Sequence, residues 1–283
     1  MPTPADATQV APAVPPSPLP WSRLWTVRAP IGRRTWLVLA VIGLISPLLA
    51  WAALARWGGM DPTFMPSPMA VLAKTWTWLI EDGLVEDMAI STYRVVAGFA
   101  LSAVIALPLG LFVGSYRSVQ ALLEPLTDFI RYMPAVAFIP LVMLWVGIGE
   151  GSKIAIIFIG TFFQMVLMVA EDVRRVPAAQ VEAAQTMGAN RRELVEKVIL
   201  PSAKPALLDT LRVTMGWAWT YLVVAELVAA NSGLGYAILR AQRFLQTDTI
   251  FAGIIVIGLI GLLTDQVFRW LHRRAFPWLY LKG

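Results

Sequence analysis

The segment "EAAQTMGANRRELVEKVILP", Glu182–Pro201, carries six charges, yet it lies between the two most apolar portions of a very apolar chain. Of the 283 residues, 58% are hydrophobic and 14% charged, well away from ordinary soluble composition. A soluble domain of this length could bury a large core but would still need a polar surface. These charges are too few and too clustered to supply one. The uncharged runs are long: Thr35–Ala55, Val95–Tyr116, Tyr132–Gly149, Ile154–Ala170 and Thr249–Thr264. A helix needs about 20 apolar residues to cross the hydrocarbon core. Two runs meet that requirement outright, and the others do with flanking residues. A sixth span, Leu207–Ala230, is interrupted only by Asp209, Arg212 and Glu226. The chain reads as an all-α polytopic membrane protein of about six transmembrane helices.

Composition also removes whole classes of chemistry. There is no cysteine, so disulfides, thiolate metal sites and cysteine nucleophiles are excluded. The single histidine, His272, stands beside Arg273 and Arg274 and reads as a solvated residue at the membrane edge. The net charge of +5 is not a nucleic-acid signature, because the basic residues fall between the spans. Residues 1–33 read as a disordered, proline-rich cytoplasmic tail, with seven prolines and only Asp6 charged in the first twenty. No cleaved signal is read there. Residues 34–274 form the membrane domain, with a cytoplasmic insert at 177–201, and 275–283 form a cytoplasmic C-terminal tail. Placing both termini inside puts fifteen basic residues in inside segments and six in outside ones, which is the orientation the positive-inside rule selects. The protein is thus expected in the cell inner membrane. In the outer loop Trp57–Met88, tryptophans near the interface read as anchors. "GIGEGSK", Gly147–Lys153, lacks the spacing of a nucleotide loop and reads as a tight turn.

The insert is patterned. Pro177 opens a helix, Ala178–Met187 favours it, and Gly188 stops it with a left-handed backbone. "NRRELVEKVIL" predicts a second short helix, ended by Pro201. Val181, Ala184 and Met187 recur at spacing three and predict a small-residue face that lies in a groove.

Here the residues reach a resemblance. ABC-importer permease subunits carry E-A-A, three residues, G, nine residues, I-x-L-P in a cytoplasmic loop. This chain has Glu182-Ala183-Ala184, then Gly188, then Val198-Ile199-Leu200-Pro201, differing in Val198 alone. "STYRVVAGFALSAVIALPLGLFVG", "PLVMLWVGIGEGSKI", "GWAWTYLVVAELVAANSGLGY" and "TDTIFAGIIVIGLIGLLTD" resemble the nitrate/sulfonate/taurine branch, over about Pro62 to Leu271. The resemblance implies the type I ABC-importer permease fold and a passage for a small, anionic solute such as nitrate, taurine or a sulfonate. It implies a homodimer, two copies of a cytoplasmic ABC ATPase subunit and an external solute-binding protein, with no cofactor on this chain. ATP hydrolysis belongs to the partner, so the chain is no enzyme itself. Val181, Glu182, Ala183, Ala184, Met187, Gly188, Ala189, Leu200 and Pro201 are then the residues that couple to the ATPase.

Ionisable residues within spans are functional candidates. Glu226 and Arg94 lie at the same side of the membrane and can pair. Asp128 with Arg131, and Asp265 with Arg269, are spaced to pair along one helix face. A passage is expected along the third to fifth spans, with Arg94, Arg131, Gln164, Trp217, Tyr221 and Glu226 as candidate residues. The competing readings are a stand-alone secondary transporter, an importer of a non-anionic cofactor precursor, and an intramembrane enzyme. The first needs no docking insert. The last needs a convergent catalytic set that the spans do not show.

Overall fold

The structure is a computed structural model and describes residues 31–280, without the side chains of Val228 and Ala229. Most of the proline-rich tail and the last three residues of the C-terminal tail fall outside that set. Among the described residues every regular element is helical.

The first unit contributes one helix, α1 (Arg33–Trp57). Its 25 residues include Pro47, and charge occurs only at its two ends. The second unit, residues 60–280, begins with α2 (Pro68–Ile80), whose first turn is capped by Ser67 Oγ accepting from the Ala70 N–H at 3.2 Å. There follow α3 (Leu84–Ser115), α4 (Arg117–Arg131), a 3₁₀ turn at Ala135–Phe138 and α5 (Ile139–Val146). Then come α6 (Glu150–Arg174), α7 (Ala178–Thr186) and α8 (Arg191–Glu193). A π-helical turn at Leu194–Ile199 leads into α9 (Leu200–Ala229), followed by α10 (Leu234–Arg243) and α11 (Thr247–Ala275).

The core is α3 against α6, with α9 on α6. A stripe of small residues on α3 makes the close approach possible: Gly98, Ser102, Ala106, Gly110 and Gly114, each four residues after the last. A Cβ on Gly110 would stand 2.6 Å from Val169, one on Gly114 2.7 Å from Val173, and one on Gly98 2.8 Å from Ile157. In lipid, where helices gain nothing by hiding apolar surface from each other, such close packing and interhelical hydrogen bonds drive association. The bond is present too, with Ser102 Oγ and Thr161 Oγ1 2.7 Å apart.

Among the described residues, four helices are long and apolar enough to cross a membrane: α1, α3, α6 and α11. The run Tyr132–Gly149 departs from expectation, because it is not one straight span. Pro134 holds an extended backbone (φ −63°, ψ 124°), and a proline also pushes the residue before it out of the helical region. The chain therefore bends by 89° between α4 and the segment Ala135–Val146, and the two pass as a span only together. The Leu207–Ala230 span falls in α9 but for Ala230, its C-cap, and α9 is 30 residues long but carries Lys204, Asp209, Arg212 and Glu226.

Pro201 does not end the second helix of the insert. The backbone stays helical through Ile199 (φ −65°, ψ −55°) and Leu200 (φ −61°, ψ −47°) into α9. A proline lacks the N–H for the bond one turn back and crowds that carbonyl. The wider π turn directly before Pro201 relieves both demands.

His272 also departs from expectation. It is 7% exposed, with Nδ1 2.8 Å from the Tyr280 hydroxyl and its ring edge-on to Phe276. The chain after α11 turns back over it through the 3₁₀ turn Pro277–Leu279, burying a residue that composition alone left at the surface.

Candidate functional site

Three sites are built on α9: the insert at its N-terminal end, a cavity along its middle and an ion cluster near its C-terminal end.

The insert turns where Gly188 requires it. Gly188 has φ 87°, its N–H donates to Gln185 O, and the Ala189 N–H reaches back to Ala184 O at 3.0 Å. These two bonds satisfy the carbonyls that end α7, in the pattern that favours glycine at this position. The next helix starts with a reciprocal cap. Asn190 Oδ1 accepts from the N–H groups of Arg192 and Glu193, while Glu193 Oε2 accepts from the Asn190 N–H. The Lys197 ammonium on Glu193, together with that backbone N–H, holds the Glu193 carboxyl below the usual carboxylate range. α7 packs on the π turn, and Ser202 Oγ donates to Gln180 Oε1 at 2.9 Å. Val181 and Ala184 are half-buried, whereas Met187 is 87% exposed at the corner. The small-residue face is therefore split, and Glu182, Ala183, Thr186 and Met187 form the outward surface of α7. Ala189 and Leu200 are half-buried, and Pro201 is exposed.

The cavity, of about 220 Å³, lies between α4, the bend after it, α6 and α9. Four candidates from the sequence meet there: Arg131, Gln164, Trp217 and Tyr221. Arg131 Nε is 2.9 Å from Asp128, and its Nη2 donates to the Tyr132 hydroxyl. Tyr221 lies flat over Gly160, where a Cβ would come within 2.4 Å of the ring. The side chains of Gln164, Trp217 and Tyr221 make no hydrogen bond to another described residue. The sequence reading missed Gly160, Phe163 and Thr220, which also line the wall. Only a contact map could have found them, because each sits in an apolar or small-residue run.

Arg94 and Glu226 lie elsewhere. The run of chain from α3 to α6 to α9 places the start of α3, the start of α6 and the end of α9 at the end of the bundle remote from the insert. There Arg94, fully buried, uses all five of its N–H donors. It binds Glu150 through Nε (2.6 Å) and Nη2 (2.7 Å), Glu226 through Nη1 (2.6 Å), and Ser232 at both its carbonyl and hydroxyl. Lys153 adds a second cation on Glu150 at 2.8 Å. Glu226 also accepts from Ser91 Oγ and from the Gly235 N–H. The predicted pairing of Arg94 with Glu226 is present. Glu150, Lys153, Ser91 and Ser232 had no sequence signal tying them to it. The third predicted pair, Asp265 with Arg269, forms at 2.7 Å and is joined by Arg212 of α9.

Residues 106–277 match the family described as binding-protein-dependent transport system inner membrane component. The chain is 38% identical over 246 residues to the putative ABC transporter permease protein MJ0413 of Methanocaldococcus jannaschii, covering 84% of this chain and 92% of that one. It is 34% identical over 262 residues to the taurine transport system permease protein TauC of Escherichia coli, covering 91% and 94%. Among solved structures, an inward-facing form of the MetNI methionine ABC transporter matches at a TM-score of 0.56 and 23% identity. That match covers 68% of this chain and 97% of the other, and at this identity it speaks to the fold. The chain belongs to the family of binding-protein-dependent transport system inner membrane components and is a permease subunit of an ABC importer, in which ATP hydrolysis resides on a separate subunit.

Proposed function

We propose that the insert 177–201 docks on the ATPase subunit, and that two copies of this chain with two ATPase subunits form one passage for a small anionic solute. Both termini are on the cytoplasmic side, and an external binding protein delivers the solute. The observation that carries this reading is the continuity of the insert with α9. A push on α7 and the Gly188 corner is delivered through the helical π turn into the helix that bears Trp217 and Tyr221.

The solute class rests on the cavity and on the similarity to a taurine permease. Arg131, Gln164, Trp217, Thr220 and Tyr221 present mainly donors, which suits a ligand with several acceptor oxygens. Polar groups without protein partners are expensive in a membrane domain unless water or solute meets them.

Gly188→Val tests the docking. A side chain with a Cβ in the left-handed region costs about 1 kcal/mol or more, and no neighbour stands within 4 Å to clash with it. The strain falls on the corner alone. The variant is expected to insert normally, lose most ATPase copurification and lose uptake of the delivered solute. Normal copurification and uptake at matched membrane level would refute the docking role.

A further inference from the structure

The cluster around Arg94 reaches beyond the three core helices. The first N–H groups of α10 point into it: Gly233 donates to Asp87 Oδ1 at 2.9 Å, Leu234 to Ser91 Oγ at 2.9 Å and Gly235 to Glu226 Oε2 at 2.7 Å. The start of α10 is thus capped by side chains from α3 and α9 and by none of its own. Gly233 makes the approach possible, with φ 104° and room for no Cβ, since one would stand 2.4 Å from Glu226 Oε1. A cap needs only one short polar side chain. Here one of the three caps is a buried carboxylate on α9, and its charge is balanced by Arg94 of α3, which also grips the chain entering α10.

We propose that Arg94 and Glu226 are positioning residues through which α9 carries α10. Motion delivered to α9 at the insert reaches the far end of the bundle as a movement of α10. The geometry supports the transfer at both ends. Toward the insert, α9 is helically continuous with the segment that follows Asn190. At the far end, Arg94 Nη1 bridges Glu226 and Ser232 O at 2.6 and 2.7 Å, so α9 and α10 cannot separate without stranding a buried guanidinium. Stranding one partner of a buried pair is the costly event, whereas the intact pair adds little to stability. The arrangement therefore resists separation more than it stabilises the fold.

The inference rests on the docking reading, and the test separates the two. The chain lacks native cysteine, so single spin labels can be placed at Ala189→Cys in the insert and Arg240→Cys on α10. Distances between the two copies are measured in the purified permease–ATPase complex without nucleotide and with ATP and vanadate. Both distances are expected to shift in the otherwise unmodified chain. In Glu226→Gln the Ala189 shift should persist and the Arg240 shift should be lost, with a broadened distribution. If Glu226→Gln fails to assemble, Asp87→Asn decides. Asp87 is on α3, so this variant weakens only the α3 hold on the Gly233 amide, leaves the Glu226 links between α9 and α10 in place, and should keep the Arg240 shift. An Arg240 shift that survives Glu226→Gln, or one that Asp87→Asn abolishes, overturns the proposal alone. An Ala189 distance that ignores ATP in the unmodified chain overturns the docking reading and the proposal with it.

Discussion

Tyr221 rests on a glycine, and one methyl group is enough to move it. Gly160→Ala would press a Cβ into the Tyr221 ring, with no flexible tip able to swing aside. Overpacking of this kind costs about 1–3 kcal/mol. The expected result is a lowered unfolding temperature and reduced uptake, with ATPase copurification unchanged, because the insert is far along α9. Gly258→Ala is the control, since no atom stands within 4 Å of its Cβ, and it should be neutral in both assays. A second residue-level prediction concerns acid. Glu193 has a folded pKa below its ordinary value of 4.5, so its contribution to the insert is fully present above that value and fades as pH falls through the lower one. Amide exchange at 190–197, corrected for intrinsic rate, should therefore be protected near neutral pH and rise as the pH is taken below the ordinary carboxylate range. Glu193→Gln should abolish the difference. Gly188 was legible from the sequence because it is a local signal, set within a few residues of chain. Gly160 was not, because its reason for being glycine is a ring 61 positions away.

At the scale of elements, the α3–α6 contact is the most exposed to a single change. Gly110→Leu has no room against Val169, and the helices would have to part along the stripe. Thermal unfolding of the purified complex should show a loss of several kcal/mol, well above the cost of Gly160→Ala. An unchanged transition would mean that the stripe does not set the helix approach. The spacing of four was present in the sequence, hidden inside an apolar run that already read as a span. The bent pair α4 and α5 was hidden for the opposite reason. Hydropathy over Tyr132–Gly149 gives the same sum whether the chain is straight or folded back, and Pro134 decides between them. Pro201 misled in the other direction. A proline ends a regular α-helix, but a π turn one residue upstream lets the helix continue.

At the scale of the molecule, a cysteine at Ala189 should be modified by a membrane-impermeant reagent only from the cytoplasmic side. Labelling in intact cells would reverse the topology read from the basic residues. Native mass measurement of the purified complex should return two copies of this chain with two ATPase chains. Pairing with a different permease would refute the homodimer. Fold class and membrane character were legible because lipid leaves helices few alternatives. The ion cluster was only half legible. Arg94 and Glu226, 132 residues apart, stood out as charges in apolar runs. Glu150 looked like part of a turn, and nothing local connects it to either.

One helix carries the second half of the insert, the cavity residues Trp217 and Tyr221, and Glu226. Their directions around its axis are therefore fixed relative to one another by residue count. Each residue added to an α-helix turns everything beyond it by about 100°. A single insertion between Leu207 and Trp217 would swing Trp217 and Tyr221 off the cavity wall and carry Glu226 away from Arg94, even if the added residue were alanine. Loops such as 58–67 can change length at little cost. α9 cannot, whereas the π turn just before it already accommodates one residue more than regular winding requires. Length, more than composition, is the property of α9 that variation must preserve, because the phase of the helix holds the three sites in alignment.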